Sequence, residues 1–196
     1  WADWKWRFEI DDSKAKVKEI DNNKLEKAHI ENMDKQDKLA RAIMLPDLLD
    51  HPQLFEQYPN LNSVKVYFSN KSSLWWFDND LVITLNDKFL NKWSSKLAPL
   101  YDGAKLQDPK STLLHEIQHS IQKKEWFARG WDVSMFRNEI DPYGSYQKLA
   151  WETEARNVQT RLLKTPAERK ILRPAKTEDV ARDKQIVKME WWKAML

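Results

Sequence analysis

Hydrophobic positions along the chain follow two rhythms, and the changes between them mark its elements. Trp6, Phe8 and Ile10 alternate with Arg7, Glu9 and Asp11, and Ala15 and Val17 resume the alternation after the turn-forming Asp11-Asp12-Ser13. A period of two on either side of a turn predicts a β-hairpin. Val64, Val66 and Phe68, and later Leu81, Ile83 and Leu85, repeat that period and predict two further strands. Before those strands, the polar stretch from about Lys24 to Met44 predicts a helix closed by Pro46. Leu48 to Tyr58, broken by Pro52 and Pro59, predicts a short helix or turn-rich connection. Residues 87–97 predict another helix, and Pro99 and Gly103 a loop.

Two stronger helices follow. Asp108 in a capping position, Pro109 in the first turn and Gly130 beyond the end bracket the first. The second starts after Asp141-Pro142 and Gly144 and runs to about Lys164, before Pro166. Beyond Pro174 the chain is highly charged as far as Ile186, which predicts a loop followed by a terminal helix ending in Trp191 and Trp192.

Composition narrows the chemistry. The chain has 196 residues, 41% hydrophobic and 32% charged, which suits a single globular domain spanning 1–196. No apolar run approaches bilayer length, and the opening WADWKWRFEI lacks the features of a signal peptide, so a cytoplasmic setting without a membrane is expected. Trp1 in place of Met suggests a segment of a longer polypeptide. Lys and Arg number 33 against 30 Asp and Glu, a net of +3 spread along the chain, which argues against a nucleic-acid partner. The absence of cysteine excludes disulfides, thiolate metal ligands and a cysteine nucleophile, so any metal must be held by His and carboxylate. The 11 Trp, with pairs at Trp75-Trp76 and Trp191-Trp192, read as filling for a core and its rim.

Within the first strong helix stands S-T-L-L-H-E-I-Q-H-S-I-Q, residues 111–122, containing the H-E-x-x-H of His115, Glu116 and His119. Histidines four apart project from one helix face about one turn apart, so two imidazole nitrogens can converge on one tetrahedral ion. A glutamate beside the first histidine sits where it can take a proton from a metal-bound water. Leu113, Leu114, Ile117 and Ile121 form a separate apolar arc, leaving His115 and His119 to face another surface where a cleft can lie. His29 and His51 have no such partner spacing and read as solvated or capping histidines.

A catalytic zinc site needs a third protein ligand. No third histidine follows at the metzincin spacing, because Gln122 to Trp126 occupy the stretch, so the ligand should be a carboxylate on a later helix. W-E-T-E-A-R-N, residues 151–157, supplies two. Trp151, Ala155, Val158 and Leu162 predict the inward stripe of that helix, Glu152 falls within its widened arc beside Gln159, and Glu154 falls on the solvated arc. A carboxylate on the buried side needs a compensating cation, which favours Glu152 over Glu154. Arg156 could pair with Glu152 or meet a substrate carbonyl, and Tyr143 or Tyr146 could stabilise an oxyanion.

T-L-L-H-E-I-Q-H-S-I-Q and E-T-E-A-R-N-V-Q-x-R-L, with W-R-F-E-I-D-D-S, H-P-x-L-F-x-x-Y-P from His51 to Pro59 and T-E-D-V at Thr177, carry a specific resemblance. They resemble the metallopeptidase-like domain of large polyvalent proteins of phages and mobile elements, the twenty-third of the large polyvalent protein-associated domains. The resemblance implies a zincin-like α+β domain with a small mixed sheet packed beside the H-E-x-x-H helix and a second, glutamate-bearing helix. It also implies an edge strand that pairs with extended substrate, for which Leu81 to Leu85 is the candidate. Trp151 stands where the family has glycine, and so bulky an indole would narrow the site.

These readings together lead to the expectation of a zinc-dependent hydrolase, most directly a metallopeptidase acting on a protein or peptide. Zn²⁺ would sit on His115, His119 and Glu152, with Glu116 as general base. The alternative is a non-catalytic, zinc-stabilised interaction module of a phage or mobile-element protein, its cleft closed by indoles such as Trp126. A nucleic-acid accessory domain is disfavoured by the dispersed charge.

Overall fold

The computed structural model describes residues 10–28, 40–69, 82–87, 89–90, 100–102, 105–107, 109–125 and 133–187. They are α+β in class, and the chain divides into two compact units, one over Ile10–Leu113 and one containing Leu114–Leu196.

A four-stranded mixed sheet dominates the first unit. Its strands are β2 (Glu26–Ala28), β3 (Ala40–Met44), β5 (Lys65–Ser69) and β6 (Val82–Asn86), in that spatial order. All neighbours are antiparallel except β5 and β6, which run parallel with Val66 opposite Ile83 and Phe68 opposite Leu85. The alternation predicted for both strands holds: Val66, Phe68, Ile83 and Leu85 are buried. Among the described residues β6, which contains most of the candidate edge strand, is the last strand of the sheet. Leu45, Leu48, Leu49, Leu54, Leu61 and Val64 fill out the core from α1 (Leu45–Leu48), β4 (Leu49–Asp50), α2 (Pro52–Gln57) and the turn after it.

Several expectations for this unit are corrected. The helix predicted over Lys24–Met44 is corrected at both ends, where a 3-10 turn at Asn22–Lys24 leads to β2 and where β3 pairs with it, Ala28 opposite Ala40; residues 29–39 lie outside the described residues. Strand β3 is paired along both edges and buries the adjacent Ala42 and Ile43, and this tertiary pairing outweighs a helix-compatible composition. The turn at residues 12–14 is present, with the Asp11 carboxylate accepting from the Ser13 amide at 3.1 Å, and β1 (Lys16–Val17) pairs antiparallel with β4. His51 is neither solvated nor a side-chain cap. It is buried, with Nε2 2.9 Å from Asp12 Oδ1, joining the start of α2 to that turn. Strands β7 (Leu100–Asp102) and β8 (Lys105–Gln107) pair antiparallel with Asp102 opposite Lys105, and Pro99 and Gly103, where a loop is predicted, lie outside the described residues.

In the second unit the motif helix forms as predicted, as α3 (Pro109–Lys124), whose first residues belong to the other unit. The single helix expected from after Gly144 to about Lys164 is instead two, α4 (Pro142–Gln147), which already includes Pro142 and Gly144, and α5 (Ala150–Leu162). Leu149, at φ −56° and ψ 132°, breaks it. Extended there, Leu149 bridges to Ile186: the Ala150 amide donates to the Ile186 carbonyl at 2.9 Å, and the Ile186 amide to the Lys148 carbonyl at 2.8 Å. Helix α5 ends before Pro166 as predicted, and Pro166 in turn opens a further helix. It lies in the first turn of α6 (Pro166–Ile171), behind a capping box in which Thr165 and Glu168 satisfy each other's backbone amides.

The inward stripe predicted for α5 is also corrected. Trp151, Val158 and Leu162 are half-buried, whereas Glu152, Thr153, Ala155, Asn157 and Arg161 are buried. Polar residues go inward because the segment after α5 covers that side and satisfies them. Asn157 donates to the Pro174 carbonyl at 3.0 Å and accepts from the Thr177 hydroxyl at 2.7 Å, while Arg161 donates to the Leu172 carbonyl at 2.7 Å.

The predicted helix over 87–97 is described only at its start, where the Leu90 amide donates to the Asp87 carbonyl at 2.9 Å. Trp6, Phe8, Trp75, Trp76, Asp108, Trp126, Gly130, His29 and the predicted terminal helix at Trp191 and Trp192 lie outside the described residues. Among the described residues no helix is long and apolar enough to cross a membrane.

Candidate metal centre

Most residues of α3 between Ser111 and Gln122 are buried. Leu113, Leu114 and Ile117 are buried as the apolar arc requires, and His115, Glu116 and His119, on a separate face, are buried as well. What covers them lies on α4 and α5. Glu152 brings its carboxylate Oε1 to 3.3 Å from His119 Nε2 and Oε2 to 3.7 Å from His115 Nε2. The two histidine Nε2 atoms are 3.1 Å apart. His115, His119 and Glu152 form a buried group, one ligand atom from each within 4.8 Å of the others, that could hold a metal ion.

The donor set fits such an ion. Bonds of about 2.0–2.1 Å at tetrahedral angles separate neighbouring donor atoms by about 3.3 Å, the scale of the three separations here. Tautomers agree with this. His115 Nδ1 lies 3.2 Å from Gln159 Oε1, and His119 Nδ1 lies 2.9 Å from Gln122 Oε1, so each Nδ1–H donates to a carboxamide oxygen. With Nδ1 of each ring engaged in this way, both Nε2 atoms face one place, where a cation would take up their two lone pairs.

The electrostatics point the same way. Burial, reinforced by the neighbouring His119, pushes His115 down to about 3, so it is a neutral donor. Burial also acts against a charged His119, but the hydrogen bond and charge of Glu152 outweigh it and raise its proton affinity. Burial opposes ionisation of Glu152, yet the hydrogen bond and charge of His119 prevail and hold it down at about 2. Glu116 has no such compensation: burial, against the pull of His119 and with the help of Glu152, lifts it to about 8. Its Oε1 is buried with no hydrogen-bond partner among the described residues.

The remaining predicted site residues are accounted for. Glu154, the less favoured ligand, accepts from Gln122 Nε2 at 2.6 Å and stands outside the group. Arg156 does not pair with Glu152. It forks onto Asp179, with Nε and Nη2 at 2.6 and 3.0 Å, and also donates to the Gln147 carbonyl. Tyr146 donates its hydroxyl to Glu152 Oε1 at 2.5 Å, and burial followed by the charge of Glu152 raises its pKa, so it stays a donor. Tyr143 is exposed, its ring 6.3 Å from that of Tyr146. Trp151 stacks its indole on His119, with centroids 4.8 Å apart and 9° between planes.

Gln122 and Gln159 were missed as site residues, although spacing could have found both. Gln122 lies one turn beyond His119 on α3, and Gln159 two turns beyond Glu152 on α5, so each shares a face with a ligand. Comparison with protein-family models, curated proteins and solved structures returns no match for the chain.

Proposed function

We propose that this chain is a zinc-dependent hydrolase of zincin type, most directly a metallopeptidase. The observation that carries the proposal is Glu116: a buried carboxyl with an oxygen lacking a hydrogen-bond partner, beside a His-His-Glu group able to hold a metal. Burying a carboxyl unsatisfied is costly, and the cost is understandable where the group handles protons. Two imidazoles, one carboxylate and no thiolate suit Zn²⁺, which when bound supplies Lewis acidity and lowers the pKa of water.

The chain's own residues divide the work. His115, His119 and Glu152 hold the ion, and Gln159 and Gln122 keep the imidazoles in the donor tautomer. Glu116 takes the proton of the attacking water and passes it to the leaving amine. Tyr146 keeps Glu152 oriented as a ligand. The resemblance of the H-E-x-x-H and E-T-E-A-R segments to the polyvalent-protein domain supports the same reading and suggests a protein or peptide substrate.

A second reading has an observation in its favour. The Trp151 indole covers one face of His119 and all three ligand side chains are buried, as in a closed structural centre of an interaction module. Metal content of the purified chain, with peptide-library cleavage by the wild type and by Glu116→Gln, separates the two. Cleavage lost with zinc retained supports the hydrolase; stoichiometric zinc without cleavage by either form defeats it.

A further inference from the structure

Gln122 is wholly buried yet polar, and its carboxamide uses both donors and its acceptor. Oε1 accepts from His119 Nδ1 at 2.9 Å, while Nε2 donates to the Trp151 carbonyl at 3.0 Å and to Glu154 Oε2 at 2.6 Å. Those last two partners flank Glu152 on α5. Trp151 returns the connection by stacking on His119. His119, Gln122 and Trp151 therefore form a closed triangle joining the histidine helix to the residue immediately before the third ligand.

The orientation of the carboxamide is dictated by its partners. An acceptor carbonyl and a carboxylate on one side demand the amide nitrogen there, which leaves the oxygen for His119. Glu154 thus sets the orientation of Gln122, and Gln122 sets the tautomer of His119. Among the described residues it is this carboxamide that faces Nδ1, so the Nδ1 proton is held there and Nε2 is the atom aimed at the ligand point.

We propose that Gln122 is the positioning residue of the metal centre, coupling α3 to α5 through one carboxamide, with Glu154 as the group that locks it. This rests on the reading of the site as a metal centre, and not on hydrolysis. A residue that only stabilised the fold would affect melting temperature alone; a positioning residue also moves metal affinity and imidazole tautomer.

The test is Gln122→Met, which keeps the volume and removes the hydrogen bonds, in the full chain. Zinc affinity by chelator competition is expected to weaken about 10- to 100-fold. In the ¹⁵N imidazole spectrum of zinc-free protein at about pH 9, His119 should change from a single Nδ1–H tautomer to a mixture. Glu154→Leu, whose site is only half-buried, should shift both readouts the same way, and it decides the matter if Gln122→Met does not fold. Zinc affinity within twofold of wild type and an unchanged tautomer in the folded variants would overturn the proposal, even if melting temperature drops. If the wild type binds no zinc, the metal reading falls by itself and the tautomer still decides the role of Gln122.

Discussion

Tyr146 reaches Glu152 across the break between α4 and α5, its hydroxyl donating to Oε1 at 2.5 Å. The same carboxylate approaches both histidines, so a phenol on one short helix holds a ligand on the next. Tyr146→Phe removes that hydrogen bond and little volume. Zinc affinity should weaken about tenfold, as for other lost partners of metal ligands, and isothermal titration reads it directly. An unchanged dissociation constant would mean the phenol is a packing group only.

The two carboxylates of α5 differ in kind. Glu152→Ala removes a member of the ligand group and should abolish stoichiometric zinc uptake, whereas Glu154→Ala should leave one zinc per chain, held less tightly. Metal analysis after gel filtration distinguishes them. Equal loss in both variants would contradict the assignment.

Stability against pH should carry the signature of the buried cluster. Without metal, folded Glu116 titrates at about 8 against an ordinary 4.5, and folded His119 above its ordinary 6.5. From pH 6.5 to 8 the folded state thus binds protons that the unfolded chain has released, and stability falls as pH rises, by up to ~1.4 kcal/mol per unit for each proton of difference. On the acid side His115, at about 3, and Glu152, at about 2, release protons that the unfolded chain keeps. Stability is therefore lost as pH falls below 6.5 through His115 and below 4.5 through Glu152. Between 4.5 and 6.5 the contributions of Glu116 and His115 have opposite signs and largely cancel. Zinc displaces protons, so its stabilisation should grow toward pH 8. Thermal melts at about pH 6 and pH 8, with and without zinc, check this; a metal-free protein that melts higher at pH 8 would refute it.

Glu116→Gln should separate catalysis from binding and from stability. Zinc remains, hydrolysis falls by about 10²- to 10⁴-fold, and the metal-free variant loses part of the decline in melting temperature above pH 6.5. A variant with undiminished turnover would remove Glu116 from the chemistry.

The helix of H-E-x-x-H, strands β5 and β6 and the grouping of Glu152 with the two histidines were legible because each depends on local spacing. Burial of Glu152 followed from the period of α5 even though the stripe itself was misjudged. That misjudgement has a physical cause: Asn157 and Arg161 face inward because residues 172–177 offer them carbonyls and a hydroxyl, partners invisible to helical periodicity. Strand β3 was hidden likewise, since its state is decided by neighbours on both edges rather than by its own composition. Gln122 and Gln159 needed only the face rule already applied to the histidines, extended one and two turns further. Thr165 and Glu168 spell a capping box that could have been read directly.

The bridge between Leu149 and Ile186 bears on how the protein is made. Both imidazoles and the carboxylate leave the ribosome well before Ile186 does, yet the backbone pairing that sets the start of α5 needs that late residue. Firm zinc capture should accordingly wait until Ile186 has emerged, and nascent chains arrested with Ile186 still in the exit tunnel should surrender zinc to a chelator faster than chains in which it has cleared the ribosome.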